Sequence, residues 1–410
     1  AVEKAASDGC DCVLILGGSS AGSEDYARAV IENLGEVLVH GVTIMPGKPA
    51  VVGVVRETPV FGIPGYPVSA IIVFEQLVRL LLTAFLKQPE PPSERVVVTP
   101  TRKMASKLGL EEFVRVKLGD VGGRMVATPL PRGAGSITSI TGADGIVRIP
   151  ADTEGIRENA TVTAELLRPV SELRRTIVIV GSHDNTLDVL ADQLKASQSG
   201  LTLSSSHVGS MGGLMAIKRG ACHLAGSHLL DPEDGTYNVS YIRNYLPGRA
   251  IKLVNLVYRD NGLIVPRGNP RAIHGIEDLT RPDVTFINRQ AGSGTRILLD
   301  YRLRQLGIEP AAIKGYDADE FTHMSVAVAV LSGSADAGLG IYAAAKALDL
   351  DFIPVVTEKY DLVIPVEHFE SEFIQTLLGI ITSAEFKRRV EGLGGYNTHC
   401  TGEIIDIGAA

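Results

Sequence analysis

The sequence has no tryptophan and few cysteines, which limits the kinds of site it can form. Four cysteines occur in 410 residues: Cys10, Cys12, Cys222 and Cys400. Their spacing matches neither a disulfide framework nor a zinc site, because only the two thiols of "CDC" are close in sequence. Two thiols without a nearby partner set are typical of reduced core residues. The pattern favours a reducing, cytoplasmic compartment.

A basic charge excess and long uninterrupted apolar runs are also lacking. The formal net charge is −8, with 45% hydrophobic and 21% charged residues, which is an ordinary soluble composition. An acidic total argues against nucleic acid as a partner, and no apolar run predicts a membrane span. The opening "AVEKAASDGCDCVLILGG" lacks the features of a signal peptide and starts inside a helix-like pattern. We expect the chain to begin within a domain.

What is present divides into three regions, as expected for a chain longer than one core usually serves. Residues 1–88 alternate strand-like and helix-like segments, which predicts part of a doubly wound α/β domain. The proline-rich "KQPEPPSER" marks a linker. Residues 93–169 contain short β-type runs separated by glycines, which predicts a small barrel or sandwich. Residues 172–408 return to an α/β pattern.

Two phrases in the third region resemble each other. "GLIVPRGNP" at 262–270 and "YDLVIPVEH" at 360–368 are apolar strands that end at a proline. Such a pair is expected of crossover strands between two lobes, with a ligand cleft between them. We expect one lobe at about 176–262 plus 366–408 and the other at 266–360. The alternative is a coincidence between two apolar strands.

Small polar residues follow strand-like runs in this region. "NRQAGSGTR" places Gly292, Ser293, Gly294 and Thr295 where a helix begins, and Arg296 follows. Free N–H groups at a helix start favour an anion, and glycines let the backbone approach it. The alternative is a simple N-cap. Ser182 in "GSHDN" and Ser210 are predicted to face the same cleft, whereas His207, His223 and His228 are interpreted as wall or core residues rather than metal ligands.

The first region carries a comparable set of residues. "GGSSAG" follows a buried strand and is predicted to cradle phosphate through Gly17, Gly18, Ser19 and Ser20. Asp25, one turn into the next helix, suits a metal ion or a pair of pterin N–H groups. Lys48 and Pro49 in "PGKP" form a rigid loop that aims an ammonium group. Gly65 and Ser69 in "PGYPVS" lie where another helix begins. For each residue alone, the alternative is a turn, a cap or a solvated charge.

Longer motifs of the third region resemble a known type of domain. "VGSMGGLMAIKRG", "GSHLLDPEDGTYN", "NRQAGSGTR" and "FTHMSVAVAVLSGSADAGLGIYAAAKALDLDFIPV" are similar to the periplasmic-binding-protein-like domain that is fused to molybdenum-cofactor enzymes and some molybdate regulators. The resemblance covers most of 176–407. It implies a type II binding-protein fold whose cleft takes molybdate, tungstate or a related ligand. It also places Tyr342 at a helix start on that cleft.

The first two regions resemble the molybdopterin molybdenumtransferase family, known as MoeA or the gephyrin E domain. The motifs are "GGSSAGSEDYARAVIENLG", "IMPGKPAVVG" and "GIPGYPVSAIIVFEQLV", followed by "EEFVRVKLG" and "GAGSITSITGADGIVRIP". The resemblance implies a MogA-related α/β domain and a β-barrel that act on adenylyl-molybdopterin and molybdate with Mg²⁺, releasing AMP. It assigns catalysis to Asp25, Lys48 and Ser69, metal binding to Asp25, and substrate contacts to Arg115 and Ser136. It also implies a homodimer and a molybdopterin adenylyltransferase partner.

Two positions depart from the family pattern. Met45 stands where the family usually has a second lysine, and Tyr66 stands where it usually has asparagine. The family's first two domains are not found in these residues, so this chain alone is expected to have reduced activity or none. The alternatives are a non-enzymatic molybdate or tungstate sensor and a module that binds an organic ligand such as a pterin or an amino acid.

Overall fold

A computed structural model describes residues 1–18, 26–89, 93–197, 199–231, 233 and 235–409. The chain divides into two compact units. Unit 1 comprises Ala1–Leu118 with Arg124–Leu173, and unit 2 comprises Gly119–Gly123 with Arg174–Ala410. Each unit contains its own clusters of buried apolar side chains. The multidomain α/β fold predicted from the sequence is confirmed.

The first part of unit 1 is a four-stranded mixed sheet with helices. Its strand order is β1-β5-β4-β2, in which β1 runs parallel to β5 and the other pairs are antiparallel. In β4 the alternate residues Val51, Gly53 and Val55 are buried, because a strand turns successive side chains to opposite faces. The elements are α1 (Val2–Ser7), β1 (Val13–Leu16), α2 (Tyr26–Leu34), β2 (Glu36–His40), β3 (Ile44–Met45), β4 (Val51–Val55) and β5 (Thr58–Ile63).

One helical stretch after β5 is long and apolar. It consists of α3 (Pro67–Val73), a π-helical turn at Phe74–Val78 and α4 (Arg79–Phe85). Pro67 occupies the first turn, where its missing N–H costs no helical hydrogen bond. The 19 residues satisfy the length and composition of a membrane span, so the expectation that no segment reaches that length is wrong. Core helices of soluble proteins satisfy the same criteria, and Val68, Ile72 and Val78 are buried here.

The second part of unit 1 is a closed five-stranded barrel. Its strands pair in the order β10-β12-β6-β9-β8, and β8 pairs back with β10, which leaves no free edge among these strands. Inward residues such as Val114, Val116 and Val147 fill the interior. The elements are β6 (Arg95–Pro100), β7 (Met104–Ala105), β8 (Glu111–Val121), β9 (Arg124–Pro129), α5 (Ile137–Thr141), β10 (Gly145–Ile149), β11 (Gly155–Ile156), β12 (Val162–Leu166) and α6 (Val170–Leu173).

Unit 2 is built around two long antiparallel strands. β16 and β20 pair along their length, from Ile251 opposite Pro365 to Val265 opposite Asp351. They include the apolar beginnings of the two similar phrases, at 262–265 and 360–365, and β16 ends immediately before Pro266. The strands of unit 2 are β13 (Thr176–Gly181), β14 (Thr202–His207), β15 (Ala225–Ser227), β16 (Ala250–Val265), β17 (Phe286–Arg289), β18 (Asp319–Glu320), β19 (Ala337–Ile341), β20 (Asp351–Pro365), β21 (Tyr396–Asn397) and β22 (Ile404–Ala409).

Helices cover these strands and form two separate cores. One core joins α7 to the C-terminal helices through Leu190, Leu377 and Phe386. The other includes Leu298, Leu303 and Phe286. The helices are α7 (Asn185–Ala196), α8 (Gly209–Lys218), α9 (Val239–Tyr245), α10 (Gly294–Leu306), α11 (His323–Leu331), α12 (Tyr342–Ala347), α13 (Val366–Phe369), α14 (Glu372–Thr382) and α15 (Ala384–Leu393), with 3-10 turns at Ile276–Thr280 and Pro310–Ala312.

The four cysteines are free thiols. Cys222 is buried, and burial raises its pKa to about 12. The interpretation of the "CDC" thiols as core residues is wrong for Cys10, which is exposed.

Candidate functional site

Several polar loops of unit 2 meet at the N-terminus of α10. Ser182 directly follows β13, and its Oγ lies 2.8 Å from Nε2 of His228. The N–H of His228 donates to Oγ of Ser210 at 3.2 Å. A Cβ on Gly294 would lie 2.4 Å from Cε1 of His228, so the α10 start is packed against this imidazole. The structure thus brings three of the predicted cleft residues around one histidine.

A buried chain of charges supports this histidine. Nδ1 of His228 lies 3.3 Å from Oε1 of Glu358. Arg259 donates to Glu358 from Nε at 3.0 Å and from Nη2 at 2.9 Å, and it donates to Asp184 from Nη1 at 2.5 Å. Asp184 in turn caps α7 by accepting the N–H of Thr186. The interactions hold the pKa of Glu358 at about 2, with His228 and Arg259 opposing the effect of burial.

The residues of the α10 loop have structural roles as well. Ser293 is the N-cap, and its Oγ accepts the N–H of Arg296 at 3.2 Å, as the N-cap alternative predicts. Thr295 accepts a 3.4 Å hydrogen bond from Asn261. Gly292 has φ of +80°, which favours glycine, and its carbonyl would collide with a Cβ on Gly209. The loop is therefore closely fitted to the residues around His228.

Fully buried polar atoms are left unpaired in the same region. Nη1 of Arg289, both ring nitrogens of His323 and Oδ1 of Asn261 have no hydrogen-bonding partner within the described part of the chain. Each residue is 1% exposed or less. A buried polar group without a partner costs roughly 1–3 kcal/mol, and more when it is charged. Such a set is expected where a ligand completes the hydrogen bonds.

The electrostatics of these unpaired groups favour an anion. Burial and the nearby Arg259 lower the pKa of Arg289 to about 10, although Glu358 opposes this. The pKa of His323 is well below its ordinary value, because it is buried and because Arg289 and Arg259 repel its charged form. A negative ligand would relieve this repulsion and accept the free N–H groups of Arg289 and His323.

Two residues predicted for this cleft have other side-chain partners in the structure. The guanidinium of Arg296 stacks 3.8 Å from the ring centroid of Tyr316 and lies 3.4 Å from Asp300. Its charge is therefore paired with these two side chains. Tyr342 begins α12 as predicted, but its ring packs against Phe352 at 5.3 Å. The nearby cation is instead Arg289, the last residue of β17.

Sequence reasoning also missed the acidic and basic partners of the site. Arg259 and Glu358 lie in the middle of the two long strands, next to the charged residues Asp260 and Lys359. Charged residues at buried positions of a strand are rare unless they are paired, and this was the available signal. His323 lies in the motif that begins "FTHMS", and it was not predicted to be a site residue.

In unit 1 the predicted loops meet where β1 and β5 end. These strands are parallel, with Leu16 opposite Ile63, so the residues after them emerge at the same edge of the sheet. The N–H of Gly17 donates to the carbonyl of Ile63 at 2.9 Å, and a Cβ on Gly65 would lie 3.5 Å from Cα of Gly17. Gly17 and Gly18 both have positive φ, which favours glycine.

Lys48 and Ser69 lie on segments that pack against each other. A Cβ on Gly47 would lie 2.9 Å from Cγ2 of Val73, so the loop containing Lys48 and Pro49 contacts α3 one turn after Ser69. Lys48 is exposed and Ser69 is 4% exposed. The loop is therefore held rigidly while the ammonium group reaches solvent.

The barrel contributes the loop at residues 131–139. The carbonyl of Ala134 accepts the N–H of Val68 at 3.0 Å, which places this loop, including Ser136, at the N-terminus of α3. Arg115 does not point outward as a substrate contact would. It is 2% exposed, and its guanidinium donates to the carbonyl of Pro131 at 2.8 Å and to Oγ of Ser139 at 3.3 Å. Through these hydrogen bonds Arg115 holds the loop at residues 131–139 in place.

A cationic cavity that was not predicted lies beside this loop. Its volume is about 250 Å³, and its lining includes Arg102, Lys103 and Arg132. Arg132 lies 2.9 Å from Glu112, which is paired in the sheet register with Met45. A guanidinium therefore stands near the position where the related family usually has a lysine.

Three predicted residues, Ser19, Ser20 and Asp25, fall outside the described residues. Within the described ranges, no group of three or more His, Cys, Asp or Glu side chains is arranged to hold a metal ion.

Comparison with known proteins identifies the class of each part. Residues 1–84 match the family described as a probable molybdopterin binding domain, residues 97–167 match the MoeA C-terminal region (domain IV), and residues 191–382 match the PBP superfamily domain. The chain is thus a MoeA-like part fused to a PBP-like domain.

The chain is also similar to individual proteins. The Bacillus subtilis protein YvgK is 37% identical over 231 residues, covering 56% of this chain and 74% of YvgK. The chain belongs to the YvgK family. A putative molybdopterin biosynthesis protein of Methanocaldococcus jannaschii is 35% identical over 159 residues, 38% of this chain and 37% of that protein. A solved MoeA structure from Pyrococcus horikoshii is 38% identical, with a TM-score of 0.34, over 41% of this chain and 40% of that one. This chain spans well under half the length of these two molybdopterin-related proteins.

Proposed function

We propose that this chain acts in molybdenum cofactor biosynthesis. In this proposal unit 1 belongs to a molybdopterin molybdenumtransferase site, and unit 2 binds molybdate, tungstate or a related oxyanion. The families matched by residues 1–84 and 97–167 support the first part. The observation that carries the second part is the buried, unpaired donor set of Arg289 and His323 beside the α10 N-terminus.

The donor set of unit 2 suits a tetrahedral oxyanion for a physical reason. Arg289 and the N-terminus of α10 offer N–H groups and positive potential, and helix starts bind such anions. The site excludes water because its residues are fully buried, which strengthens each charge-assisted hydrogen bond. An organic ligand would have to fill space with apolar contacts that these side chains do not offer.

In unit 1, the proposed chemistry is insertion of molybdenum into adenylated molybdopterin with release of AMP. Lys48 would attract molybdate and Ser69 would hydrogen-bond it, while the Gly17–Gly18 turn would leave room for a phosphate beside the backbone. We propose that Asp25, which lies outside the described residues, would bind Mg²⁺. We also propose a cytoplasmic location, a homodimer and a molybdopterin adenylyltransferase partner, as the resemblance of the first two regions implies.

An insertion assay tests the unit 1 proposal. The full chain is given adenylated molybdopterin and molybdate, and the metal-containing cofactor is quantified. Lys48→Ala and Ser69→Ala should each lower the yield by about tenfold to a hundredfold, since a hydrogen bond to a charged group is worth about 1.5–3 kcal/mol. Lys107→Ala, which also removes an exposed lysine, is the control and should not change it.

A sensor without insertase activity is a second candidate, and Met45 and Tyr66 favour it. Tyr66 is 65% exposed, and a Cβ on Gly135 would lie 3.4 Å from its ring, so the ring covers part of the loop next to Ser136. Absence of product from the unmodified chain favours this candidate only when substitutions at Met45 and Tyr66 restore product formation, because those substitutions would not replace the family's first two domains. The sensor candidate therefore predicts that the double substitution Met45→Lys and Tyr66→Asn restores some insertion.

Calorimetry of the full chain tests the unit 2 proposal. Molybdate, tungstate, sulfate and a pterin are titrated into the chain and into Arg289→Met. We expect at least one oxyanion to bind with a stoichiometry of about one, and this binding to be lost in the variant. Binding of the pterin instead, sensitive to Arg289→Met, would contradict the oxyanion assignment.

A further inference from the structure

Ser182, His228 and Glu358 form a relay of close polar contacts that ends at the proposed oxyanion site. Glu358 lies 3.3 Å from Nδ1 of His228, and Nε2 of the same ring lies 2.8 Å from Oγ of Ser182. Glu358 is ionised, because Arg259 donates two hydrogen bonds to it and its pKa is about 2. The negative charge of Glu358 at 3.3 Å favours the tautomer of His228 that carries its proton on Nδ1.

The proton on Nδ1 determines what Ser182 can offer a ligand. In neutral His228, Nε2 is an acceptor, so the hydroxyl proton of Ser182 is donated to it and Oγ presents only lone pairs. When His228 is positively charged, Nε2–H donates to Oγ instead, and the Ser182 hydroxyl is released to donate to the ligand. The relay therefore converts Ser182 from an acceptor into a donor when one proton is added.

The charges around His228 make the added proton depend on a ligand. Burial lowers the pKa of His228, and Arg259 and Arg289 lower it further, whereas Glu358 raises it. His323 lies close enough to be repelled by the charged ring, and the neutral ring of Tyr360 stacks against it at 5.9 Å. A dianion in the site would offset the positive charges of the arginines and stabilise a charged His228.

We propose that the unit 2 site binds a fully deprotonated tetrahedral dianion, such as molybdate, and that His228 takes up one proton when the dianion binds. Protonated His228 then donates to Oγ of Ser182, and the Ser182 hydroxyl donates to the dianion. This proposal rests on the oxyanion-binding function proposed above. All four oxygens of a dianion such as molybdate can only accept hydrogen bonds, so this ligand needs a Ser182 hydroxyl that donates. Monoprotonated phosphate has one O–H group that can donate to the lone pairs of Ser182 Oγ, so its binding needs no proton uptake by His228.

The same three side-chain types form hydrolytic triads, but two features disfavour that role. Arg259 shares the carboxylate of Glu358 through two hydrogen bonds. Ser182 and His228 are also 2% exposed or less, so the hydroxyl faces a closed site rather than an open substrate groove. The relay is therefore better suited to controlling a hydrogen bond than to activating a nucleophile.

The test counts protons during binding to the full chain. Molybdate is titrated at about pH 8 in buffers of different ionisation enthalpy. We expect an uptake of about one proton per molybdate bound, and a dissociation constant that rises about tenfold per pH unit above neutrality, which is the slope for one linked proton. Phosphate, if it binds, should bind without proton uptake.

The variant His228→Gln tests the role of the ring. Its amide N–H₂ can donate to Ser182 permanently, so molybdate should still bind but without proton uptake. His274→Gln, an exposed histidine, should keep the uptake.

A spectroscopic readout locates the proton. With ¹⁵N-labelled histidine, molybdate should shift the two His228 ring nitrogens to imidazolium values, while His183 and His323 stay neutral. Molybdate binding with no proton uptake, or uptake that persists in His228→Gln, would overturn the relay while leaving the oxyanion site standing. Absence of any oxyanion binding would instead overturn the proposed function, and the relay with it.

Discussion

At the scale of single residues, Arg259 holds together the buried charges of unit 2. It is 1% exposed and bridges Asp184 and Glu358, two carboxylates on different elements. Arg259→Met should destabilise unit 2 by about 3–5 kcal/mol, because it leaves two buried carboxylates without their cation. Denaturant unfolding followed by circular dichroism measures this loss.

The control for that substitution is Arg267→Met. Arg267 pairs with Asp349 on the surface, and both side chains are more than three-quarters exposed. Its loss should cost less than about 1 kcal/mol. Equal effects of the two substitutions would show that the buried network contributes nothing particular to stability.

We expect His323 to lower the free energy of unfolding of the ligand-free protein and to contribute to oxyanion binding. It is fully buried with both ring nitrogens unpaired, and its pKa is well below the ordinary value. Below about pH 6.5 the unfolded chain binds a proton that folded His323 excludes, so stability falls as pH falls through this range. His183, whose pKa is lowered to about 4, acts in the same direction.

His323→Leu should therefore be as stable as the unmodified chain or up to about 2 kcal/mol more stable, with less loss of stability between about pH 7 and 5. Its affinity for the oxyanion should nevertheless fall by about tenfold or more. Unfolding curves at several pH values and a molybdate titration measure the two effects. A variant that loses stability and keeps its affinity would assign His323 to packing alone.

At the scale of elements, the start of α10 must approach His228 without a side chain between them. A Cβ on Gly294 would lie 2.4 Å from Cε1 of His228 and 2.8 Å from its carbonyl oxygen, which is closer than real Cβ contacts. Gly294→Ala should displace the helix start or the imidazole and reduce oxyanion binding by more than tenfold. Calorimetry and a thermal melt measure the change.

Gly379→Ala is the matched control. Gly379 lies inside α14, and a Cβ there would meet no atom within 4 Å. Alanine should stabilise this helix by up to about 1 kcal/mol and leave binding unchanged. Unaltered affinity in Gly294→Ala would mean that the fit between α10 and His228 is not needed by the ligand.

The elements also show how far the sequence could predict the site. The glycine-serine loop of α10 was predicted from its local pattern, since an N-cap residue and turn glycines depend on neighbouring residues. The relay could not be predicted in that way. Ser182, His228 and Glu358 are separated by 46 residues or more, so their contact depends on how strands pair. Arg296 was chosen for its proximity in sequence, although the side chain folds back onto Tyr316.

The fold of each part was more predictable than its details. The two similar phrases indicated long strands correctly, because apolar runs that end at proline have few alternatives. Residues 1–88 were predicted as part of a doubly wound α/β domain, and in their sheet β1 and β5 are parallel whereas the other pairs are antiparallel. The two-residue turn Arg56–Glu57 between β4 and β5 makes those strands antiparallel, and its residues have positive φ.

At the scale of the whole molecule, two units with separate cores are expected to respond differently to ligand. Scanning calorimetry of the full chain should resolve a transition that shifts with molybdate and one that does not. At a hundredfold excess over the dissociation constant, the unit 2 transition should gain about 2.7 kcal/mol of stability. Arg289→Met should abolish the shift. A shift that survives in this variant would place the oxyanion elsewhere.

Diffraction near the tungsten absorption edge from crystals of the full chain soaked in tungstate tests the central claim most directly. We predict one strong anomalous peak in unit 2, within hydrogen-bonding reach of Ser182, Arg289, His323 and the first N–H groups of α10. Loss of that peak in crystals of Arg289→Met would complete the test. Density for tungsten only at other positions, with this buried cluster unchanged and empty, would contradict the account.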